Sequence, residues 1–173
     1  MARIPYVEKD GAPQEVAETF AKMEARGNPV VNLWKMVAHS PATLIHVIRT
    51  GNSLLTKTRI DPRLREMAIL RTAEMLDCAY EIRAHARAGL REGMTDEQVK
   101  SIKNWESSNN FNDIERAVLR FTDEVARVAR VKDETFSNLA QYLDEGMMAE
   151  LALIVGFYGM LARILLPFEV DLD

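Results

Sequence analysis

The chain has 173 residues, 47% hydrophobic and 28% charged, a length and balance suited to one domain with a real core, expected to span 1–173. Its 26 acidic and 22 basic residues leave a net charge of −4 spread along the whole length, without the basic footprint that phosphate backbones require, which argues against nucleic acid as a partner. A single cysteine excludes an internal disulfide and every thiolate-rich zinc site, and the opening MARIPYVEKDGAP lacks the apolar run of a secretion signal, so a soluble, cytoplasmic protein is expected.

Helical periodicity recurs in nearly every segment and no alternating strand pattern is found, so the fold class is all-α. In chain order the expected helices are 13–25, 30–38, 41–56, 62–76, 78–92, 96–105, 114–129, 134–144 and 147–166. Their starts carry chemical signals. Asp61 before Pro62, Thr95 with Gln98, Asn112 with Glu115, and Asp133 before Glu134 supply side-chain oxygens for orphan backbone amides. Gly27, Gly93 and Gly146 read as stops, and SSNNFND (107–113) is the one clear polar loop.

The last helix is apolar on every face from Leu151 to Leu161 (LALIVGFYGML), which calls for burial all round. Its apolar stretch of 150–165 spans roughly 24 Å, short of a bilayer core of roughly 30 Å. The expectation is therefore a core helix, or one whose outer face is covered by another subunit, making 147–166 the contact of a homo-oligomer.

Two helices carry the candidate chemistry. On 78–92, Cys78, Glu81 and His85 fall within about 60° of arc at 100° per residue. They flank an apolar face of Ala79, Ile82, Ala86 and Gly89, while Arg83, Arg87 and Arg91 point away, toward solvent or a subunit contact. That edge is where a pocket for a small molecule forms between helices. On 62–76, Glu66 sits in the middle of the apolar arc of Ile69, Leu70, Ala73 and Leu76. A carboxylate there has a raised pKa, fit for general acid or base work, unless a cation holds it charged. The partners in view are His85, the Cys78 thiol, or an arginine such as Arg71 or Arg163.

The run LREMAILRTAEMLDCAYEIRAHARAGLREGMTDEQV, followed by FNDIERAVLRFTDEV and GFYGMLAR, resembles the carboxymuconolactone decarboxylase and alkylhydroperoxidase D (AhpD-like) superfamily over most of the chain. The resemblance implies an AhpD-like helical bundle assembled as a dimer, trimer or hexamer. Redox members carry a glutamate, a Cys-x-x-Cys pair and a histidine, whose positions here are Glu66, Cys78 and His85, with Glu81 in place of the second cysteine. In those members peroxide oxidises one thiol and the other resolves it, and Glu81 cannot do so. Cys78 remains a possible one-cysteine peroxidatic thiol (peroxiredoxin activity) served by an external thiol, with Asp77 capping its helix and the helix N-terminus favouring thiolate.

Decarboxylases of the superfamily act on a carboxylated unsaturated lactone of aromatic catabolism and carry a glutamate and a histidine four residues apart, matched here by Glu81 and His85. Such a pair exchanges a proton and delivers it to the carbon that loses carbon dioxide, without a metal or cofactor. Acid–base chemistry by Glu66, Cys78, Glu81 and His85 on a small carboxylated or lactone-type molecule is the first expectation. The alternatives are the thiol peroxidase and a non-catalytic binding or assembly module. A metal site is disfavoured, since two ligands on one helix need a third that neither His39 nor His46 is placed to supply. Tyr158 needs a hydrogen-bond partner if buried, which makes it a weaker candidate for a pocket hydroxyl.

Overall fold

The computed structural model describes Met1–Asp173 and contains nine α-helices, a 3-10 segment and no strand. It divides into two compact units, Met1–Ser53 with Arg163–Asp173, and Leu54–Ala162.

The first unit holds α1 (Gln14–Glu24), α2 (Asn32–Val37) and the greater part of α3 (Pro41–Thr56), with Val16, Phe20, Leu33, Met36, Leu44 and Ile48 buried. Its two ends are tied to each other. Arg3 N donates to the Phe168 carbonyl at 2.9 Å, the Tyr6 hydroxyl to Asp171 Oδ2 at 3.0 Å, and Asn32 N to Asp173 Oδ1 at 2.7 Å.

The second unit is built on α4 (Pro62–Met75). Asp61 starts it as expected, accepting from Arg63 N and Leu64 N at 2.9 and 3.2 Å, with Pro62 at the first helical position. Every residue of α4 from Leu64 to Ala73 is buried, so even its charged side chains must find partners inside the protein. It packs against α5 (Ala79–Arg91), α7 (Asp113–Val128) and the 3-10 segment Ile102–Ser107. Arg71 of α4 forms a two-pronged ion pair with Asp123 of α7, at 2.5 and 3.0 Å, and donates to the Lys103 carbonyl at 2.7 Å. Trp105 Nε1 donates to the same Asp123 at 3.1 Å. Glu115 closes a capping box with Asn112 and also takes Gln98 Nε2 and Arg63.

Several boundaries differ from the sequence reading. The helix expected over 96–105 is α6 (Asp96–Ser101), which gives way to the 3-10 segment where Asn104 leaves helical geometry at φ −117°, ψ 36°. Its capping box of Thr95 and Gln98 is present. The helix α8 (Asp133–Leu139) ends five residues earlier than expected, and Asp133 is its first helical residue rather than its cap. Gly146 is no stop: it lies in the first turn of α9 (Glu145–Leu165). Asp144 takes the capping role there, accepting from Met147 N at 2.9 Å while its carboxylate receives both prongs of Arg59, which holds its pKa down at about 2.

At 21 residues, α9 exceeds the span estimated from its apolar residues, and by length and composition it is long enough to cross a membrane. Half of its apolar stretch is buried within the protein, including Leu151, Ile154, Val155 and Tyr158. Glu150 near its start accepts from the backbone amides of Arg59 and Ile60 at 2.8 and 3.2 Å. Leu153 remains 61% exposed and Met160 39% exposed, so one apolar stripe is uncovered within the single chain.

The Arg71–Asp123 pair gives a direct test of the second unit's core. Arg71→Met leaves a buried carboxylate without its cation, and chemical denaturation should show a loss of about 3–5 kcal/mol.

Candidate functional site

The turn between α4 and α5 sets the geometry of the site. Asp77 adopts a left-handed conformation, φ +49°, and the amides of Cys78 and Asp77 donate back to the carbonyls of Ala73 and Glu74 at 3.0 and 3.2 Å. This is a Schellman closure of α4 with an aspartate at the position usually held by glycine. Asp77 therefore ends α4 instead of capping α5, and its side chain is exposed near Lys103, 3.6 Å away. Cys78 becomes the first residue flanking α5, with φ −86° and ψ 88°. Cys78 thus flanks α5 instead of lying within it, with its sulfur still close enough to Glu81 to feel that carboxylate's charge.

Glu81 and His85 keep their expected register, one turn apart on α5. His85 Nε2 lies 3.2 Å from Glu81 Oε2, and His85 Nδ1 is hydrogen-bonded to Glu66 Oε2 of α4 at 2.7 Å. Gly89 helps to bring the two helices together: a Cβ there would stand 3.8 Å from Glu66 Cβ and only 2.6 Å from Met94 Sδ. The other oxygen of Glu66 accepts from Arg65 Nε at 3.3 Å. The arginine beside this buried carboxylate is thus its own neighbour in sequence, while Arg71 serves Asp123. Glu66, Glu81 and Arg65 are 2%, 3% and 6% exposed, so the whole group is shielded from water.

From α9, the ring of Tyr158 meets the imidazole edge to face, with centroids 4.8 Å apart and planes at 82°. Tyr158 is itself buried against the Phe157 ring, whose centroid is 5.5 Å away. The apolar helix thus supplies one wall of the site, a part the sequence reading gave only as a weaker candidate.

The electrostatics follow from these contacts. Burial opposes the charged form of His85, but the hydrogen-bonding and charge of Glu66 and Glu81 outweigh it and lift the imidazole from 6.5 to about 9. At neutral pH it is an imidazolium, hydrogen-bonded to Glu66 through Nδ1 and with Nε2 3.2 Å from the Glu81 carboxylate. Burial pushes the Tyr158 hydroxyl upward, as do the charges of Glu81 and Glu66, with Arg65 opposing, so it stays a neutral donor. Burial also pushes the Cys78 thiol up, reinforced by the charge of Glu81, although the backbone amides of Glu81 and Tyr80 favour thiolate. At 1% exposure it is a buried, protonated thiol. The structure thus assembles Glu66, Glu81 and His85 as one unit and leaves Cys78 bordering it beside Glu81.

Comparison with known proteins adds the following. Residues 41–124, which include Arg65, Glu66, Cys78, Glu81 and His85, match the Carboxymuconolactone decarboxylase family. The uncharacterized protein YdfG of Bacillus subtilis is 24% identical over 110 residues, covering 62% of this chain and 75% of YdfG. An uncharacterized peroxidase-related protein of Ralstonia eutropha with an alkylhydroperoxidase AhpD core superposes with a TM-score of 0.86 at 19% identity, covering 99% of this chain and 92% of the other. The debrominase Bmp8, solved as a cysteine-to-alanine variant with 2,3,4-tribromopyrrole, superposes at 0.80 with 18% identity, covering 100% and 94%.

The raised pKa of His85 has a consequence for stability. A group whose folded pKa exceeds its unfolded value contributes fully below the unfolded value and loses that contribution as pH rises through the folded one. Unfolding free energy should therefore fall by about 3 kcal/mol between pH 6.5 and pH 9 through this residue. In His85→Gln that decline should be absent, as read by urea denaturation at each pH.

Proposed function

For this chain, a member of the carboxymuconolactone decarboxylase and alkylhydroperoxidase D superfamily, we propose acid–base catalysis on a small carboxylated or lactone-type molecule, with His85 as the proton store. The reading is carried by one observation, the imidazole held between Glu66 and Glu81 at 2.7 and 3.2 Å. An imidazolium with a pKa of about 9 is charged at neutral pH and has a proton to give.

In the proposed step the substrate's carbon–carboxylate bond breaks, carbon dioxide leaves, and the electron pair stays on carbon. His85 Nε2 gives its proton to the Glu81 carboxylate, which delivers it to that carbon and is left ionised again, and the now neutral imidazole regains a proton from solvent. Glu66 anchors Nδ1, fixing the ring so that Nε2 is the nitrogen that exchanges. Lactone double-bond migration uses the same groups, with Glu81 taking a proton from one carbon and returning it to another. That the debrominase of this fold is seen with a small unsaturated ring, 2,3,4-tribromopyrrole, supports ring-sized substrates of this kind.

The thiol peroxidase reading is favoured by one feature, the two amides aimed at the Cys78 sulfur. Against it stand the burial of that sulfur and the negative charge of Glu81, both of which keep the proton on. We further propose that the protein works as a homo-oligomer joined through 147–166, since the uncovered stripe of Leu153, Gly156 and Met160 on α9 is apolar and contiguous in helical register.

The proposal is tested by assaying carbon dioxide release from unsaturated carboxylated lactones. His85→Gln and Glu81→Gln should each lose about 100-fold or more in turnover, while Cys78→Ser stays within a few-fold of wild type. Loss of activity in Cys78→Ser, together with rapid peroxide consumption by the wild type, would transfer the function to the thiol. Leu153→Glu should lower the mass of the assembly measured by light scattering.

A further inference from the structure

Arg65 is used by the fold in an incomplete way. Its Nε donates to Glu66 at 3.3 Å, and no hydrogen bond or ion pair engages either of its two Nη groups. Yet its side chain is only 7% exposed. A guanidinium is a planar fork of five donors, and burying most of it while leaving four N–H groups without acceptors is costly. No fully buried side-chain nitrogen or oxygen in the protein lacks a partner, so the Nη atoms stand at the small part of this residue that water reaches. The same reasoning applies to the Tyr158 hydroxyl, which has no hydrogen bond although the residue is 5% exposed. Two donors with no acceptor from the protein are therefore present, and they are near enough for the Arg65 charge to act on the Tyr158 hydroxyl.

Both donors adjoin the proton store. The two oxygens of Glu66 are divided between Arg65 Nε and His85 Nδ1, so one carboxylate group spans the distance from the guanidinium to the imidazole. The Tyr158 ring lies on that imidazole, with centroids 4.8 Å apart.

We propose that the Arg65 fork, with the Tyr158 hydroxyl as a further donor, is the carboxylate-binding element of this site. The chemistry selects a single planar monoanion. A carboxylate accepts two parallel N–H groups from a guanidinium, and a hydroxyl adds a third bond without adding charge. A phosphate dianion would bring two negative charges beside Glu66 and Glu81, where one guanidinium and one imidazolium already balance two carboxylates. A neutral ligand would offer the fork a carbonyl acceptor at most, without the paired oxygens and the charge of a carboxylate. With a carboxylate docked on Arg65, the carbon that bears it sits next to the imidazole and Glu81, where a proton is delivered. This inference deepens the acid–base reading and rests on it for the reaction, whereas the anion site stands on the orphan donors alone.

The test uses the full-length protein and two small ring probes of equal shape, 2-furoate and its neutral amide 2-furamide. Affinity is measured by nuclear magnetic resonance titration, following the Arg65 Nε–H and Tyr158 ring signals. Furoate should bind the wild type at least about tenfold more tightly than furamide and should move both signals. In Arg65→Gln the preference for the anion should vanish, and Arg65→Lys, which keeps the charge but not the fork, should recover only part of it. Tyr158→Phe should weaken furoate by about three- to tenfold without affecting furamide.

Equal affinity for the two probes in the wild type, or furoate binding that leaves the Arg65 signal in place, overturns the proposal. So does an Arg65→Gln variant that binds furoate normally but changes the mass of the assembly, which would assign the fork to an acceptor on a second copy. Should Arg65→Gln fail to fold, the wild-type comparison of the two probes decides. Anion-selective binding at Arg65 without carbon dioxide release would sink the acid–base reading and keep the anchor. Release without anion preference would do the reverse.

Discussion

A carboxylate buried inside a helix that is itself buried on all sides has to be answered by cations, and the rest of the site follows from that constraint. Glu66 sits among Met67, Ala68, Ile69 and Leu70, each at most 1% exposed. An uncompensated charge in such surroundings would cost several kcal/mol or be neutralised. The chain meets the requirement with Arg65 on one oxygen and His85 on the other. Once His85 is drawn to Glu66 through Nδ1, its other nitrogen is directed back along α5 toward Glu81, and a second carboxylate is brought to the same ring. The proton held there is the result of packing as much as of residue choice.

This arrangement also accounts for the state of the cysteine. A thiol at a helix N-terminus ordinarily gains from the orphan amides, and Cys78 does face those of Tyr80 and Glu81. Its burial and the carboxylate at position 81 act the other way and prevail. A glutamate at position 81 thus does two things together: it cannot resolve an oxidised Cys78, and its charge makes thiolate formation harder. Both effects favour proton chemistry on the same framework.

The parts of the site that were legible in the sequence are those that depend on helical period. Glu66 in an apolar arc, and Glu81 one turn before His85, needed only the 3.6-residue repeat. The period that singles out Glu66 says nothing of Arg65, about 100° around the helix from it, because no pattern shows that α4 is buried on every face from Leu64 to Ala73. Cys78 was harder for a different reason. Asp77 carries a helix-capping side chain and reads as the start of α5, whereas its backbone ends α4 in a left-handed conformation that an aspartate tolerates. A single residue's φ angle therefore decides that Cys78 flanks α5 instead of lying within it. Asp144 illustrates the same limit, since its role at the start of α9 depends on Arg59, 85 positions away in sequence.

The charge state of His85 is the point on which the account turns, and it can be observed directly by nuclear magnetic resonance of the imidazole nitrogens in protein labelled with ¹⁵N-histidine. Nδ1 and Nε2 should both be protonated at pH 7.5, with the ring titrating near pH 9. A ring that is neutral at pH 7.5 and titrates near 6.5, with one nitrogen bare, would contradict it: the imidazole would then be an ordinary buried base, and the proton store on which the proposed chemistry depends would not exist.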